Sequence, residues 1–309
     1  MGASGLVEIL KLNENRSYFL RLLFYTARTL TKRAPFRVKT AAAMLFPWKY
    51  RKYVPHIMLQ VCSQCQNRCN YCSQGDLMAA NLGYQLSMDE LETFIRQTEE
   101  SKYFIENVFI NGPGEPTLWK HINEGVPCLY KSPAIGNIQL TTNGQSLDRV
   151  DDMTWRYFSR VVVSVYPSNK IAMFDGLKAM SRRYGFRLMF YNQVTFRVPP
   201  KQAYPNSLPA QCNCHGPMVY GNRVYPYCGP TGFGAAVLKG EPFLNSPKHS
   251  REMGFDYLAG IDKSVLYHGE TLAPMKMDLC RYCISNENIP YVRAPHEQTR
   301  DRYVTIAKR

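Results

Sequence analysis

The feature of this sequence that most constrains its fold is a regular alternation of strand and helix patterns between residues 55 and 199. Five apolar, β-rich runs are predicted to be strands, at residues 56–61, 107–111, 138–142, 161–166 and 188–195. Four stretches with helical spacing separate them, near residues 88–102, 117–131, 147–159 and 169–184. The alternation favours a parallel sheet with right-handed crossovers. It therefore predicts an α/β fold, a TIM-like barrel or part of one, with its chemistry at the C-terminal ends of the strands.

The first predicted helix carries its own start signal. Ser87 and Glu90 have the spacing of a capping box, in which the two side chains satisfy free backbone amides at a helix N-terminus. The apolar residues Leu91, Phe94 and Ile95 that follow keep helical spacing. We therefore expect this helix to begin directly after Ser87.

The regions on either side of the alternating segment differ from it in composition. Residues 1–54 form a basic extension, because residues 1–53 hold eleven Lys and Arg against two acidic residues, a net charge of +9 out of +14 for the chain. A helix is predicted at residues 16–32, with Lys and Arg along one face. Residues 200–289 are rich in Pro, Gly, Tyr and Cys and predict a small irregular domain held together by metal. Residues 290–309 form a polar tail.

The basic extension has two interpretations, which the sequence leaves open. Its helix either packs on the barrel with a solvated basic face, or residues 16–53 contact an acidic partner such as an anionic membrane surface. The sequence shows no secretory signal and no run of about 20 apolar residues. We therefore expect a cytoplasmic protein, with peripheral membrane association at most. The ten cysteines of such a protein are expected to be metal ligands before disulfides.

A first cysteine cluster follows the first predicted strand directly. Cys65, Cys69 and Cys72 have the spacing C-x3-C-x2-C. Three thiolates on one short loop can hold three irons of a [4Fe–4S] cluster and leave the fourth iron open to another ligand. A structural zinc site, in which Cys62 pairs with Cys65 and Cys69 with Cys72, is the alternative, although the gap between these pairs is short.

The motif, with the aromatic Tyr71 before its last cysteine, resembles the signature of the radical S-adenosylmethionine (SAM) superfamily. This resemblance implies that SAM chelates the open iron and that Tyr71 lies near its adenine. The segment at residues 112–116 resembles the Gly-Gly-Glu-Pro segment of the same family, which implies that its backbone and Glu115 receive the amino group of SAM. Pro113 departs from the family pattern, because it stands where a glycine is usual and has no N–H to donate.

Polar residues at the later strand ends extend the predicted SAM site. The family resemblance implies that Thr142 and Asn143 lie near the ribose, and that Ser164 and Asn192 face the same cavity. The residues predicted to bind SAM are Tyr71, Gly112, Pro113, Gly114, Glu115, Pro116, Thr142, Asn143, Ser164 and Asn192.

A second cysteine set lies in the C-terminal part of the chain. Its members are Cys212, Cys214, Cys228, Cys280 and Cys283. Four thiolates from two separated segments make a closed site for an iron–sulfur cluster or for zinc. The segment at residues 214–228 resembles the start of the SPASM/Twitch extension of radical SAM enzymes, in its shorter form with one auxiliary [4Fe–4S] cluster. The ligands that this resemblance implies are Cys214, Cys228, Cys280 and Cys283.

The second cysteine set departs from the SPASM/Twitch pattern at two positions, and it leaves a choice between two cysteines as ligand. Tyr227 displaces the ligand Cys228 by one position, and Asn222 stands where a glycine is usual. The choice of Cys214 over Cys212 rests on the spacing from Cys214 to Pro217. The remaining cysteines outside both sets of ligands are expected to be buried and structural.

Over residues 55–285, the resemblance implies a partial (β/α)6 barrel with one SAM-binding and one auxiliary [4Fe–4S] cluster. The shared chemistry is reductive cleavage of SAM to methionine and a 5′-deoxyadenosyl radical, which abstracts hydrogen from a substrate. We predict a polar, sugar- or cyclitol-like small molecule, anionic or carrier-linked, whose C–OH carbon is oxidised as in the butirosin-pathway dehydrogenase type. Epimerisation of the neomycin epimerase type, with Cys212 as catalytic hydrogen donor, and radical modification of a peptide are the alternatives.

Partners follow from the same reasoning. A flavodoxin or ferredoxin is expected to supply the electron for SAM cleavage. No nucleic acid is expected, because the basic charge lies away from both cysteine sets, where a zinc-based reader would need it. A non-catalytic membrane scaffold is a further alternative, but it leaves the turn at residues 114–116 unexplained.

Overall fold

The structure is a computed structural model, and it describes part of the chain. The described residues are 49–50, 52–67, 69, 83–112, 114–166, 171–192, 195–197, 217–220, 223–225, 255–256 and 293–295. Several predicted features lie outside these residues, namely the helix at 16–32, Tyr71, Cys72, Pro113, Cys212, Cys214, Cys228, Cys280 and Cys283.

A parallel sheet forms the centre of the described fold. Six strands pair in parallel in the order β8-β2-β3-β4-β5-β6. Their bounds are β2 Ile57–Gln60, β3 Tyr103–Asn111, β4 Ile135–Thr142, β5 Arg160–Val165, β6 Arg187–Asn192 and β8 Met218–Tyr220. The other described strands are β1 Lys52–Val54, β7 Thr195–Arg197, β9 Arg223–Tyr225, β10 Phe255–Asp256 and β11 Arg293–Pro295. The prediction of an α/β fold with a parallel sheet is confirmed, and the sheet is consistent with a partial TIM-like barrel.

The antiparallel strands lie outside this parallel core. β9 extends the sheet beyond β8, and β10 pairs with β9. β7 and β11 form a separate two-stranded sheet. The described residues include no helix that is long and apolar enough to cross a membrane.

The first strand of the sheet is longer than the sequence predicted, and it is broken at a proline. β1 pairs with the start of β3, with Lys52 opposite Tyr103, and β2 continues the same register with Ile57 opposite Val108. Pro55 separates the two segments and has no N–H to add to the ladder. The Asn107 side chain donates to the Pro55 carbonyl at 2.9 Å, so the break remains hydrogen-bonded.

In the described part of the chain, four helices alternate with the strands. They are α1 Met88–Glu100, α2 Ile122–Lys131, α3 Asp152–Trp155 and α4 Ile171–Tyr184, with 3₁₀ turns at Pro116–Leu118 and Leu147–Arg149. The capping box is confirmed, since the Glu90 amide donates to Ser87 Oγ at 3.2 Å and the Ser87 amide donates to Glu90 Oε2 at 2.9 Å. The predictions for 117–131 and 147–159 were too long, because a 3₁₀ turn occupies the start of each segment.

The two faces of the sheet differ in chemistry. One face, the helix face, packs against the helices through alternating apolar residues. These are Ile57, Leu59, Val108, Ile110, Ile138, Leu140, Val161 and Val163, which share a buried cluster with Leu91, Phe94, Val126, Leu129, Trp155 and Leu177. The opposite face carries side-chain amides at the alternate positions, and we call it the amide face. Its members are Gln60, Asn107, Asn111, Asn137 and Gln139.

Candidate functional site

The loop that carries the first cysteine cluster leaves β2 at the C-terminal edge of the sheet. Backbone hydrogen bonds hold its first residues on two sides. The Val61 amide donates to Asn111 O at 3.0 Å, and the Leu86 amide donates to Val61 O at 2.8 Å. The Ser63 amide donates to Tyr84 O at 3.0 Å. The start of this loop is therefore fixed by main-chain contacts that involve no metal ligand.

The loop that follows β3 packs directly on the cysteine loop. The Gly114 amide donates to Cys62 O at 3.0 Å, and the Glu115 amide donates to Gln64 O at 2.6 Å. A Cβ atom added to Gly112 would lie 2.6 Å from Cys62 O, and one added to Gly114 would overlap the backbone of Gln64. These two positions require glycine because two backbones meet there.

Cys62 is a buried thiol rather than an available ligand. It has no exposed surface, and its Sγ donates to Glu115 O at 3.0 Å. Burial first, and then the negative charge of Glu115, raise the pKa of Cys62 to about 12. A thiol with this pKa does not ionise at neutral pH, and it is the thiolate that binds metal. Cys62 is buried, as the sequence predicted, and its structural role stays a prediction.

Two of the three predicted cluster ligands lie in the described part of the loop. Cys69 is buried and Cys65 is partly buried. The Asn143 side chain donates to Cys65 Sγ at 3.7 Å. An N–H donor beside the sulfur suits a metal-bound thiolate, so this residue pair fits the iron–sulfur site that the sequence predicts. Among the described residues alone, no three His, Cys, Asp or Glu come together to hold a metal ion.

Glu115 ties the loops after β3 and β4 together. The carboxylate is only 2% exposed, and its Oε1 accepts hydrogen bonds from Thr117 N at 3.2 Å, Thr117 Oγ1 at 2.8 Å and Thr142 Oγ1 at 2.5 Å. Its Oε2 accepts from the Asn143 amide at 2.7 Å. Burial raises the pKa of Glu115, and the four hydrogen bonds act in the opposite direction. The predicted contact between this carboxylate and the amino group of SAM stays a prediction.

Side-chain amides join the loop after β4 to the cysteine loop. Asn143 Nδ2 also lies 3.4 Å from Gln66 Oε1, and Gln66 Nε2 donates to Ser146 Oγ at 2.8 Å. Gln145 Nε2 donates to Asn67 Oδ1 at 2.6 Å. The motifs of the sequence did not point to Gln66, Asn67 or Gln145. The signal available for the first two was their position between the predicted ligands Cys65 and Cys69.

Five of the predicted SAM-binding residues come together at this edge of the sheet. They are Gly112, Gly114, Glu115, Thr142 and Asn143, and Pro116 starts the adjoining 3₁₀ turn. Ser164 lies one strand further along, partly buried and in register with the exposed Tyr191. The backbone of Asn192 is at the end of β6, opposite Val165.

A comparison with protein families supports the class that the motifs indicate. Residues 59–187, which run from β2 to the start of β6, match the model of the Radical SAM superfamily. This part of the chain is similar to that superfamily. Radical SAM proteins are enzymes that use SAM and a [4Fe–4S] cluster, and the matched residues include the cysteine loop, the glycine turn and the loop after β4.

Curated relatives with similar sequences are named GTP 3′,8-cyclase. The protein from Klebsiella pneumoniae is 32% identical over 112 residues, which are 36% of this chain and 33% of the relative. The protein from Stenotrophomonas maltophilia is 28% identical over 95 residues, 31% of this chain and 28% of the relative. That from Actinobacillus pleuropneumoniae is 34% identical over 104 residues, 33% of this chain and 29% of the relative. The similarity thus spans about a third of the length of these relatives.

Solved structures share a more distant similarity. BtrN in an open conformation has a TM-score of 0.42 and 13% identity, covering 74% of this chain and 92% of that one. BtrN in complex with AdoMet and 2-DOIA has a TM-score of 0.34 and 16% identity, covering 45% and 57%. The anSMEcpe protein with bound AdoMet has a TM-score of 0.32 and 18% identity, covering 45% and 43%.

Proposed function

We propose that this protein is a radical SAM enzyme that abstracts a hydrogen atom from a polar, sugar- or cyclitol-like substrate and oxidises a C–OH carbon to a ketone. The superfamily match of residues 59–187 supports the radical chemistry. The amide face beneath the cysteine loop is the observation that supports a polar substrate.

The upper part of the amide face lies just below the cysteine loop. Gln60 is two residues before Cys62 and has no exposed surface. Its Nε2 donates to Asn111 Oδ1 at 2.8 Å, while its Oε1 has no hydrogen-bond partner among the described residues. A buried acceptor without a donor costs about 1–3 kcal/mol, which a ligand hydroxyl or amine can offset.

The lower part of the amide face repeats this arrangement. Gln139 is 3% exposed, its Nε2 donates to Asn107 Oδ1 at 2.8 Å, and within the described chain its Oε1 accepts no hydrogen bond. Asn107 is oriented by its bond to the Pro55 carbonyl, so the free Gln139 oxygen is not an artefact of amide orientation. Asn107 and Asn111 are four residues apart on β3, about 13 Å at strand spacing. Gln60 and Gln139 thus each carry an unpartnered acceptor on this face, and a ligand with several hydroxyl or amine groups could pair with both.

The proposed oxidation removes two protons and two electrons from the substrate, which together equal two hydrogen atoms. SAM and the reduced cluster, when bound, supply a 5′-deoxyadenosyl radical that takes the first hydrogen atom. The substrate radical would still have to lose its hydroxyl proton and one electron. The proposed ligands Cys214, Cys228, Cys280 and Cys283 would hold an auxiliary cluster that could supply the acceptor for this electron. The amide face holds the substrate by its polar groups so that one C–H bond is presented to the radical.

The proposal includes partners of matching charge. The net charge of +9 within residues 1–53 suits a phosphorylated or carrier-linked substrate, or contact between residues 16–53 and an anionic membrane surface. A flavodoxin or ferredoxin is the proposed electron donor, in the cytoplasm.

A nucleoside triphosphate is the second candidate substrate. The curated relatives are named for GTP, and the basic extension suits a triphosphate. Redox-neutral epimerisation, with Cys212 returning a hydrogen atom, remains an alternative fate for the substrate radical.

The test begins with iron. Anaerobically reconstituted wild-type protein is expected to bind about eight irons, and the Cys65→Ala/Cys69→Ala/Cys72→Ala variant about four. The wild type is then incubated with SAM, a reductant and separate panels of aminocyclitols, sugar phosphates and GTP. We expect 5′-deoxyadenosine, together with a ketone product from one of the first two panels.

Other outcomes redirect or end the proposal. Turnover of GTP alone favours the second candidate, and a product of unchanged mass that incorporates solvent hydrogen favours epimerisation. Stoichiometric zinc without iron uptake after reconstitution would rule out the radical mechanism.

A further inference from the structure

The side chain of Asn143 faces the cysteine loop with its hydrogen-bond donor. Nδ2 donates to Cys65 Sγ at 3.7 Å and to Gln66 Oε1 at 3.4 Å, so one of its two N–H groups serves the sulfur of a predicted cluster ligand. Asn143 itself is buried, at 5% exposure. The contact is thereby shielded from water, which strengthens its electrostatic effect on the sulfur.

The orientation of the Asn143 amide is fixed by a second contact. The Gln145 backbone amide donates to Asn143 Oδ1 at 2.9 Å. A backbone N–H can only donate, so the atom that it faces must be the oxygen of the Asn143 side chain. The nitrogen therefore faces Cys65, and the opposite assignment would place two donors against each other.

The backbone of Asn143 is held as firmly as its side chain. Its amide donates to Glu115 Oε2 at 2.7 Å, and Glu115 is in turn bonded to Thr117 and Thr142. The adjoining Gly144 amide donates to Thr142 Oγ1 at 3.0 Å. Asn143 is consequently a preorganised donor, placed beside Cys65 by two neighbouring loops.

We propose that Asn143 donates an N–H···S hydrogen bond to Cys65 and thereby raises the reduction potential of the cluster that this cysteine would hold. The inference rests on the proposed function, since it requires a cluster on the first cysteine set. A hydrogen bond to a ligand sulfur stabilises the more negative, reduced state of an iron–sulfur cluster. In this role Asn143 is a positioning and tuning residue that eases reduction of the cluster by the electron donor.

The test compares two substitutions at equivalent asparagines. Asn143→Asp keeps an oxygen for the Gln145 amide but replaces the N–H donor by a carboxylate oxygen of nearly the same size. Asn123→Asp is the matched control, because Asn123 also uses both ends of its amide, with Asp151 N and Arg149 O at 2.9 Å each. Neither contact of Asn123 involves the cysteine loop.

The measurement is a potentiometric titration of the reconstituted full-length protein, followed by electron paramagnetic resonance. The signal that changes when SAM is added identifies the relevant cluster. In Asn143→Asp, we expect the ratio of reduced to oxidised cluster at a fixed potential to fall about tenfold, because a donor becomes a negative acceptor. Asn123→Asp is expected to titrate like the wild type.

Asn143→Asp protein with wild-type iron content and an unchanged reduction potential would overturn the inference. An equal shift of the reduction potential in Asn123→Asp would also overturn it. If Asn143→Asp binds less iron, the reduction potential is measured in Asn143→Ser, which lacks the amide N–H, and an unchanged potential in that variant overturns the inference as well. A wild type without any SAM-responsive signal would instead refute the proposed function. The two failures are therefore distinguishable.

Discussion

The helix face and the amide face are built from the same strands, yet one buries apolar side chains and the other buries side-chain amides. On β4, Leu140 packs among buried apolar residues on one face, and its neighbour Gln139 is bonded to Asn107 on the other. The helix face gains stability from burial of apolar surface. The amide face buries polar groups and leaves two acceptors without donors in the described structure, which costs stability. The helix face therefore maintains the fold, and the amide face is the one to which the proposed function assigns the substrate.

The largest expected effect lies on the helix face. Leu140→Ala removes a side chain with no exposed surface and should lower the free energy of unfolding by about 2–5 kcal/mol, because it leaves a cavity. Urea denaturation of the cluster-free protein, followed by circular dichroism, measures the change. Thr141→Ala, one residue further along and on the opposite face, is the control, and it should lower the free energy of unfolding by about 1 kcal/mol or less. If both substitutions lower this free energy equally, the two faces do not differ in their contribution to stability.

A smaller effect is expected on the amide face. Gln60→Leu loses the hydrogen bond to Asn111 but also removes the unpartnered Oε1, so the free energy of unfolding should change by only about 1 kcal/mol in either direction. The same denaturation experiment applies, and basal formation of 5′-deoxyadenosine without substrate should persist. If Gln60→Leu destabilises the protein as much as Leu140→Ala does, the amide face is part of the structural core.

The smallest effect is a difference in alkylation between Cys62 and Cys65, and it can be measured on the unsubstituted protein. Iodoacetamide reacts with thiolates, and the pKa of Cys62 is raised by burial from 9.0 to about 12. At pH 8, Cys62 in the folded, cluster-free protein should therefore stay unmodified while the partly buried Cys65 reacts. Peptide mass spectrometry measures both sites. The Cys62 thiol should become reactive only as the pH approaches 12 or after unfolding, and rapid labelling at pH 8 would contradict its assigned environment.

The sequence predicted the fold better than the site because the two depend on different contacts. The five predicted strands are present, since apolar alternation is a local signal. The continuation of the first strand through β1 was missed, because Pro55 interrupts that signal and only pairing with β3 restores it. The paired amides of Gln60 and Asn111 were also missed, because strand register alone brings them together.

The roles of the two site glycines could not be deduced for the same reason. The family resemblance implied that the backbone of the segment that holds Gly112 and Gly114 receives the amino group of SAM. In the structure, the backbone that they approach is the cysteine loop, at Cys62 and Gln64. That contact joins segments about fifty residues apart, so no local pattern announces it.

The packing of the cysteine loop on later loops has a consequence for biosynthesis. Cys62 and Gln64 obtain their backbone partners from Gly114 and Glu115, and Cys65 obtains its donor from Asn143. A ribosome makes the cysteines long before these partners, and a chain folds as its segments emerge. About eighty further residues must therefore be translated after Cys65 before its hydrogen-bond donor Asn143 has been synthesised. Cluster delivery by the cell's assembly machinery should accordingly follow release of the barrel from the ribosome rather than accompany its first strand.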